Sequence, residues 1–208
     1  MPEQKEKILS LFSEIQNGNK LAFNELFLSY YSRLLAFAKQ YTKNQESAEE
    51  ITSELFVKIW LKRTGLSSIL NPEVYLFIAI KNACLNVIRS EKKRFMFFNE
   101  QSNDQLVEKI ADEGEVKMED KELKKLLDLA VNSLPDQRKI IFKLVKEDGL
   151  KAQEVASILG ISVRTVENQL YKAIKTLAES ISDYIGYHPQ KKISRKQALS
   201  DLSLLFFL

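Results

Sequence analysis

The chain has 208 residues, 45% of them hydrophobic and 28% charged, with a formal net charge of +3. This is enough apolar material for one large core or two small ones and excludes a disordered chain, while so small a net charge means that any nucleic-acid surface must arise from local clustering. Cys84 is the only cysteine, which excludes a disulfide framework or a cysteine-based zinc site and suits a reducing cytoplasm. The opening MPEQKEKILS lacks an apolar signal core and no run approaches a membrane span, so integral membrane insertion is not expected.

Four Pro and six Gly leave few breakers, and apolar residues recur at three and four, so the chain reads as all-α. Ile8, Leu11, Phe12 and Ile15 predict a short helix from Lys7 to Gln16, closed by Asn17, Gly18 and Asn19. A second helix runs from about Leu21 to Tyr41, with Phe23, Leu26, Phe27, Tyr30, Leu34, Phe37 and Tyr41 facing one way, an aromatic content that fits a packed core. A third begins after Asn44, with Ser47 as its cap and Glu49 and Glu50 suiting the positive end of the dipole. Ile51, Leu55 and Ile59 form its inner stripe. Phe56, Val57 and Trp60 then exceed one narrow face, so this helix is either unusually buried or carries a docking surface beside Glu49, Glu50 and Glu54. TGLSSILNP reads as a loop ending at Pro72. In the helix that follows, EVYLFIAIKNACLNVIRSEKKR, the inner side is Val74, Phe77, Ile78, Cys84, Leu85 and Ile88, and Lys81, Asn82, Asn86 and Arg89 fall outside it. Its closing Arg89, Lys92, Lys93 and Arg94 either complement the helix dipole or hold phosphates.

Residues 95–120 read as a flexible acidic linker: Asn99 to Asp120 holds eight acidic and two basic residues with little periodicity, and an extended or disordered segment is expected. A second helical domain spans 121–185. Leu123, Leu126, Leu127 and Ala130 form its first stripe, Pro135 opens the next helix, and Ile141, Phe142, Leu144 and Val145 carry that helix inward until Asp148 and Gly149. The stretch from Gly149 to Lys175, GLKAQEVASILGISVRTVENQLYKAIK, follows helix-turn-helix grammar. Ala156 is small where two helices cross, Gly160 tolerates the positive φ of the turn, and Ser162 caps the second helix. Val155, Leu159, Ile161, Val166 and Leu170 fill the wedge, and Ile174 and Leu177 continue the buried stripe. Arg164, Thr165, Asn168, Gln169 and Lys172 are left facing out, donors and acceptors suited to base edges and phosphates.

Residues 186–208 form a basic, then apolar tail with three competing readings: a flap on its own domain, a contact for an inhibitory partner, or a membrane-surface anchor. His188 is the only histidine, and no phosphate loop, paired-carboxylate site or metal-ligand spacing surrounds it. Neither catalysis, nor a metal, nor a cofactor is expected.

AEEITSELFVKIW (Ala48 to Trp60) followed by NPEVYLFIAIKNACLNVIR (Asn71 to Arg89) resembles region 2 of bacterial RNA polymerase sigma factors of the extracytoplasmic-function group, in the sigma-70 family. SLPDQRKIIFKL (Ser133 to Leu144) with the helix-turn-helix resembles their region 4. The resemblance implies a region 2 domain over 1–94, a linker over 95–120 and a region 4 domain over 121–185. It implies that Glu50, Glu54, Phe56, Val57 and Trp60 dock core RNA polymerase, with Phe56, Val57 and Trp60 turned outward. It further implies that Ser67, Ser68, Asn71, Tyr75, Lys81, Asn82, Asn86 and Arg89 hold the melted minus-ten strand, and that Arg164, Thr165, Asn168, Gln169 and Lys172 read the minus-thirty-five duplex. Glu50 stands where the family usually has aspartate, Ser53 where it has glutamine, Asn86 where aspartate is common and Gln169 where arginine is common. The implied partners are core RNA polymerase, promoter DNA and an anti-sigma factor, in the cytoplasm, with the chemistry left to the polymerase. The competing functions are a stand-alone helix-turn-helix regulator of response-regulator type, since TVENQLYKAIKTL resembles those too, and an adaptor that binds polymerase without reading DNA.

Overall fold

Among residues 2–98 and 120–185, the part of the chain that the computed structural model describes, every regular element is helical. The first unit contains α1 (Pro2–Gln16), α2 (Lys20–Thr42), α3 (Gln45–Leu61), a 3-10 turn (Arg63–Ser68) and α4 (Pro72–Phe98); the second contains α5 (Asp120–Ser133), α6 (Asp136–Lys146), most of α7 (Ala152–Leu159) and α8 (Val163–Ile185). The acidic stretch, His188 and the apolar tail fall in 99–119 and 186–208, outside the described residues. The helices flanking the expected linker reach further into it than periodicity indicates, α4 running on to Phe98 and α5 starting at Asp120. No described helix is long and apolar enough to cross a membrane.

Local chemistry sets the corners of the first unit. Gly18 adopts a φ of +82°, and Asn19 caps α2 by accepting from the N–H groups of Leu21 (2.9 Å) and Ala22 (3.3 Å). Asn44, not Ser47, caps α3: its extended backbone (ψ 130°) lets Oδ1 accept from Ser47 N–H at 2.8 Å, whereas Ser47 already lies inside the first turn.

Helix α4 packs against α1, α2 and α3, which changes its expected inner face. Leu76 and Ile80 join Phe77 and Cys84 in full burial, while Ile78, Leu85 and Ile88 are only half-buried. A helix with three neighbours buries an arc wider than, and rotated from, the stripe drawn through its largest residues. Arg33 on α2 pairs with Glu73 in the first turn of α4 at 2.8 Å and lies over the rings of Tyr30 (4.9 Å) and Phe77 (5.8 Å). Tyr30 donates to the same Glu73 oxygen at 3.5 Å; burial and then the Glu73 charge push its hydroxyl up to about 12. Burial likewise raises the Cys84 thiol to about 11, as befits a core thiol.

In the second unit α8 packs on α5 and α6. Val166, Leu170, Ala173, Ile174 and Leu177 are buried, the stripe expected from the sequence, against a core that includes Val131, Leu134, Ile141, Phe142 and Leu144. On α6 Ile140 is buried where Val145 is half-buried. Gly160 ends α7 at φ +72°, Ser162 Oγ accepts from Thr165 N–H at 3.1 Å, and Val155 and Ala156 are buried as expected, with Leu159 and Ile161 half-buried.

Candidate nucleic-acid interface

Three outward faces collect the residues singled out by the sequence. On α3, Glu50, Glu54 and Val57 are exposed and recur at four and seven residues, so they form one stripe, which Leu61 (71% exposed) continues. Leu61 escaped the sequence reading, although its offset of four from Val57 was the available signal. Phe56 does not face outward: it is 2% exposed and sits among the rings of Phe23, Phe27 and Tyr31 of α2, with centroids 4.9 to 6.3 Å apart. It lies one residue before Val57, about 100° round the helix, on the side that α2 covers. Trp60 is half-buried on the flank, between the Phe23 ring (5.2 Å) and the Arg63 guanidinium (4.9 Å). Half-buried Phe23 and Phe27 therefore complete the aromatic surface beside the stripe, where the sequence had suggested Phe56. Glu54 also pairs with Lys58 at 2.6 Å, an exposed bridge of small energetic weight.

The second face begins at the 3-10 turn, where a loop was expected. Ser67 gives both its N–H (2.9 Å) and its hydroxyl (2.8 Å) to Gln16 Oε1, while the Ser68 hydroxyl donates to Gly65 O at 2.7 Å. Asn71 precedes α4 and accepts weakly from Val74 N–H at 3.5 Å, so it caps the helix. Leu70 between them is 89% exposed. Along α4, Tyr75, Asn82, Asn86 and Arg89 are exposed and stand at offsets of 7, 11 and 14 from Tyr75, one continuous stripe opposite the buried arc. Lys81 is set aside from it, half-buried on the flank. Exposed Lys93 continues the stripe with positive charge, and exposed Lys92 and Arg94 flank it to either side.

The third face lies on α8. Arg164, Asn168 and Lys172 are exposed at successive offsets of four, directly opposite the buried stripe. Thr165 is half-buried and shares a 2.8 Å hydrogen bond with the Ser162 hydroxyl. Gln169 is half-buried too and sits on the flank toward α6, where its Oε1 accepts from Arg138 Nε at 3.4 Å. Since an arginine can only donate, that contact orients the amide with its NH₂ away from Arg138. Tyr171 and Lys175, at offsets of seven and eleven from Arg164, share the outward face; neither was expected there, although those offsets were the available signal.

Two family models match this chain: Sigma-70 region 2 over residues 26–94, which holds the first two faces, and Sigma-70 region 4 over 124–177, which holds the third. Together they span more than half of the 208 residues. The chain belongs to the extracytoplasmic-function group of the sigma-70 family. This sigma factor is 29% identical over 147 residues to the RNA polymerase sigma factor SigV of Bacillus subtilis, covering 69% of its own length and 80% of the relative's. It is 21% identical over 183 residues to the ECF RNA polymerase sigma-E factor of Escherichia coli, covering 84% and 94%. Its fold is similar to that of the sigma factor RpoE from Bartonella quintana, solved in complex with the anti-sigma factor NepR (TM-score 0.55, 19% identity, 77% of this chain and 96% of that one). It is also similar to that of CnrH, solved with the cytosolic domain of CnrY (TM-score 0.51, 17% identity, 84% and 97%). As a sigma factor it directs RNA polymerase to promoters, in a family of non-enzymatic initiation factors. The stand-alone regulator is not favoured, because the N-terminal unit matches region 2 rather than a receiver.

Proposed function

We propose that the sigma factor divides its work among the three faces. The α3 stripe of Glu50, Glu54, Val57 and Leu61, with Trp60 on its flank, docks core RNA polymerase; the turn and the α4 stripe hold the melted minus-ten strand; the α8 face reads the minus-thirty-five duplex. Phe56 supports the first face from beneath. The observation that carries this reading is the segregation of two stripes of opposite character on one unit, apolar and acidic on α3, polar and basic on α4. A protein groove suits exposed apolar anchors with a charged rim, whereas single-stranded DNA needs cations beside surfaces on which bases stack. On this reading the functional boundaries are 1–94, 95–120 and 121–185, the protein acts in the cytoplasm, and the chemistry stays with the polymerase. By analogy with the RpoE–NepR complex, an anti-sigma factor restrains it.

The test is titration against bacterial core polymerase together with run-off transcription. Trp60→Ala would disturb packing as well as docking, so Val57→Asp is the cleaner probe. Val57→Asp abolishes polymerase binding, Arg89→Ala leaves binding intact but lowers transcription from duplex promoters, and Arg164→Ala loses only the minus-thirty-five preference. A protein that ignores polymerase yet binds duplex DNA alone with high specificity would sink the proposal.

A further inference from the structure

Helix α1 lies outside the region 2 match, which starts at residue 26, yet it meets the proposed minus-ten face at two points. At its C-terminal end Gln16 Oε1 accepts both donors of Ser67, at 2.9 and 2.8 Å. One turn earlier the buried Phe12 meets the ring of Tyr75 edge to face, with centroids 6.3 Å apart and planes at 87°. Gln16 is held in place because its neighbour Ile15 and Phe12 are both buried, and Leu66 is buried just before Ser67. A short 3-10 turn has poorly aligned hydrogen bonds of its own and gains definition from outside contacts. The residues that follow, Ile69 to Asn71, carry the most exposed large apolar side chain of the described residues, Leu70. Flexible binding surfaces lose affinity for every conformation that they must give up, so a surface meant for unstacked bases benefits from being set beforehand.

We propose that α1 is a positioning element for promoter melting: Gln16 fixes the turn at Ser67 and Phe12 fixes Tyr75, so that the melted strand meets a preset surface. This rests on the assignment of the turn and α4 to the minus-ten element. Gln16 acts through its oxygen alone, accepting twice, so a carboxylate serves equally while a thioether of similar length removes both bonds.

The experiment uses the full chain bound to bacterial core polymerase and a promoter carrying 2-aminopurine in the minus-ten non-template strand, whose fluorescence reports melting. Gln16→Met lowers the rate of melting roughly two- to ten-fold, the size expected for one or two modest hydrogen bonds. Polymerase affinity holds steady, the thermal midpoint falls by no more than a few degrees, as loss of the same bonds requires, and Gln16→Glu stays within roughly two-fold of wild type. The proposal is overturned if Gln16→Met melts DNA like wild type, if Gln16→Glu falls as far as Gln16→Met, or if polymerase binding falls alongside or the variant unfolds at the temperature of the assay. Tyr75→Ala and Arg89→Ala test the underlying assignment separately. If neither slows melting, the minus-ten face itself is misassigned; if both do and Gln16→Met does not, only the role of α1 is wrong.

Discussion

Helices α3 and α8 each present a stripe to a partner in the proposed division of labour, but their apolar residues are spread very differently round the girth. Helix α8 buries one stripe, Val166, Leu170, Ala173, Ile174 and Leu177, and leaves a polar remainder. Helix α3, which like α8 has two helices against it, buries Ala48, Ile51, Thr52, Leu55, Phe56 and Ile59 but carries more large apolar residues than that arc holds, so they are divided between core and surface. A helix with one apolar face declares its interface by subtraction. A helix that is apolar on most sides does not, because inward and outward hydrophobes look alike until the neighbours are known.

The sharpest way to break this comparison is at adjacent residues of α3. Phe56→Ala empties an aromatic cluster and should cost about 3–5 kcal/mol in urea unfolding, whereas Val57→Ala, one residue on, should change stability by no more than about 0.5 kcal/mol. Equal losses would mean that Val57 is core as well. Next in size is Leu61→Asp, expected to weaken polymerase binding by about 2 kcal/mol with an unchanged unfolding curve; unchanged affinity would remove Leu61 from the stripe. On α8, Arg164→Ala should cost about 1–3 kcal/mol of discrimination between minus-thirty-five variants in gel-shift titration, without loss of fold. The smallest effect concerns the packing of the unit that holds α3. Tyr30 has its hydroxyl raised to about 12, so the fold favours the neutral phenol; the stabilisation is full below the unfolded value of 10 and is lost as pH rises through about 12. By pH 11 the loss from Tyr30 should be about 1 kcal/mol, and Tyr30→Phe should flatten the alkaline limb of the stability curve. An identical limb in that variant would assign the effect elsewhere, Tyr41 being the obvious candidate since burial raises it to about 12 also.

The helix-turn-helix was legible because its signals are local. A small Ala156, a left-handed Gly160 and a capping Ser162 each act within a few residues; the structure has Gly160 and Ser162 in those roles and Ala156 buried. On α4, Asn82, Asn86 and Arg89 were also recoverable, since polar side chains at helical spacing oppose whatever the apolar ones face, whereas Tyr75 was indicated only by the family resemblance and Lys81 lies off the stripe. Ser47 was named as the α3 cap when Asn44 does the capping, because both are good caps and the choice depends on where the left-handed Lys43 (φ 55°) ends the preceding turn.

The sequence by itself determined the helical class, the order of the two sigma regions and the outward polar faces of α4 and α8, because periodicity assigns each helix one direction and caps assign it two ends. Only the tertiary structure decided that Phe56 belongs to the core and Leu61 to the surface, that Leu76 and Ile80 lie inside α4, and that Arg138 holds Gln169 on the flank of the recognition helix. It also joined Gln16 to Ser67, 51 residues apart. Which arc a helix buries depends on where its neighbours lie, and which distant side chains meet depends on how those neighbours pack, neither of which a single helix period encodes.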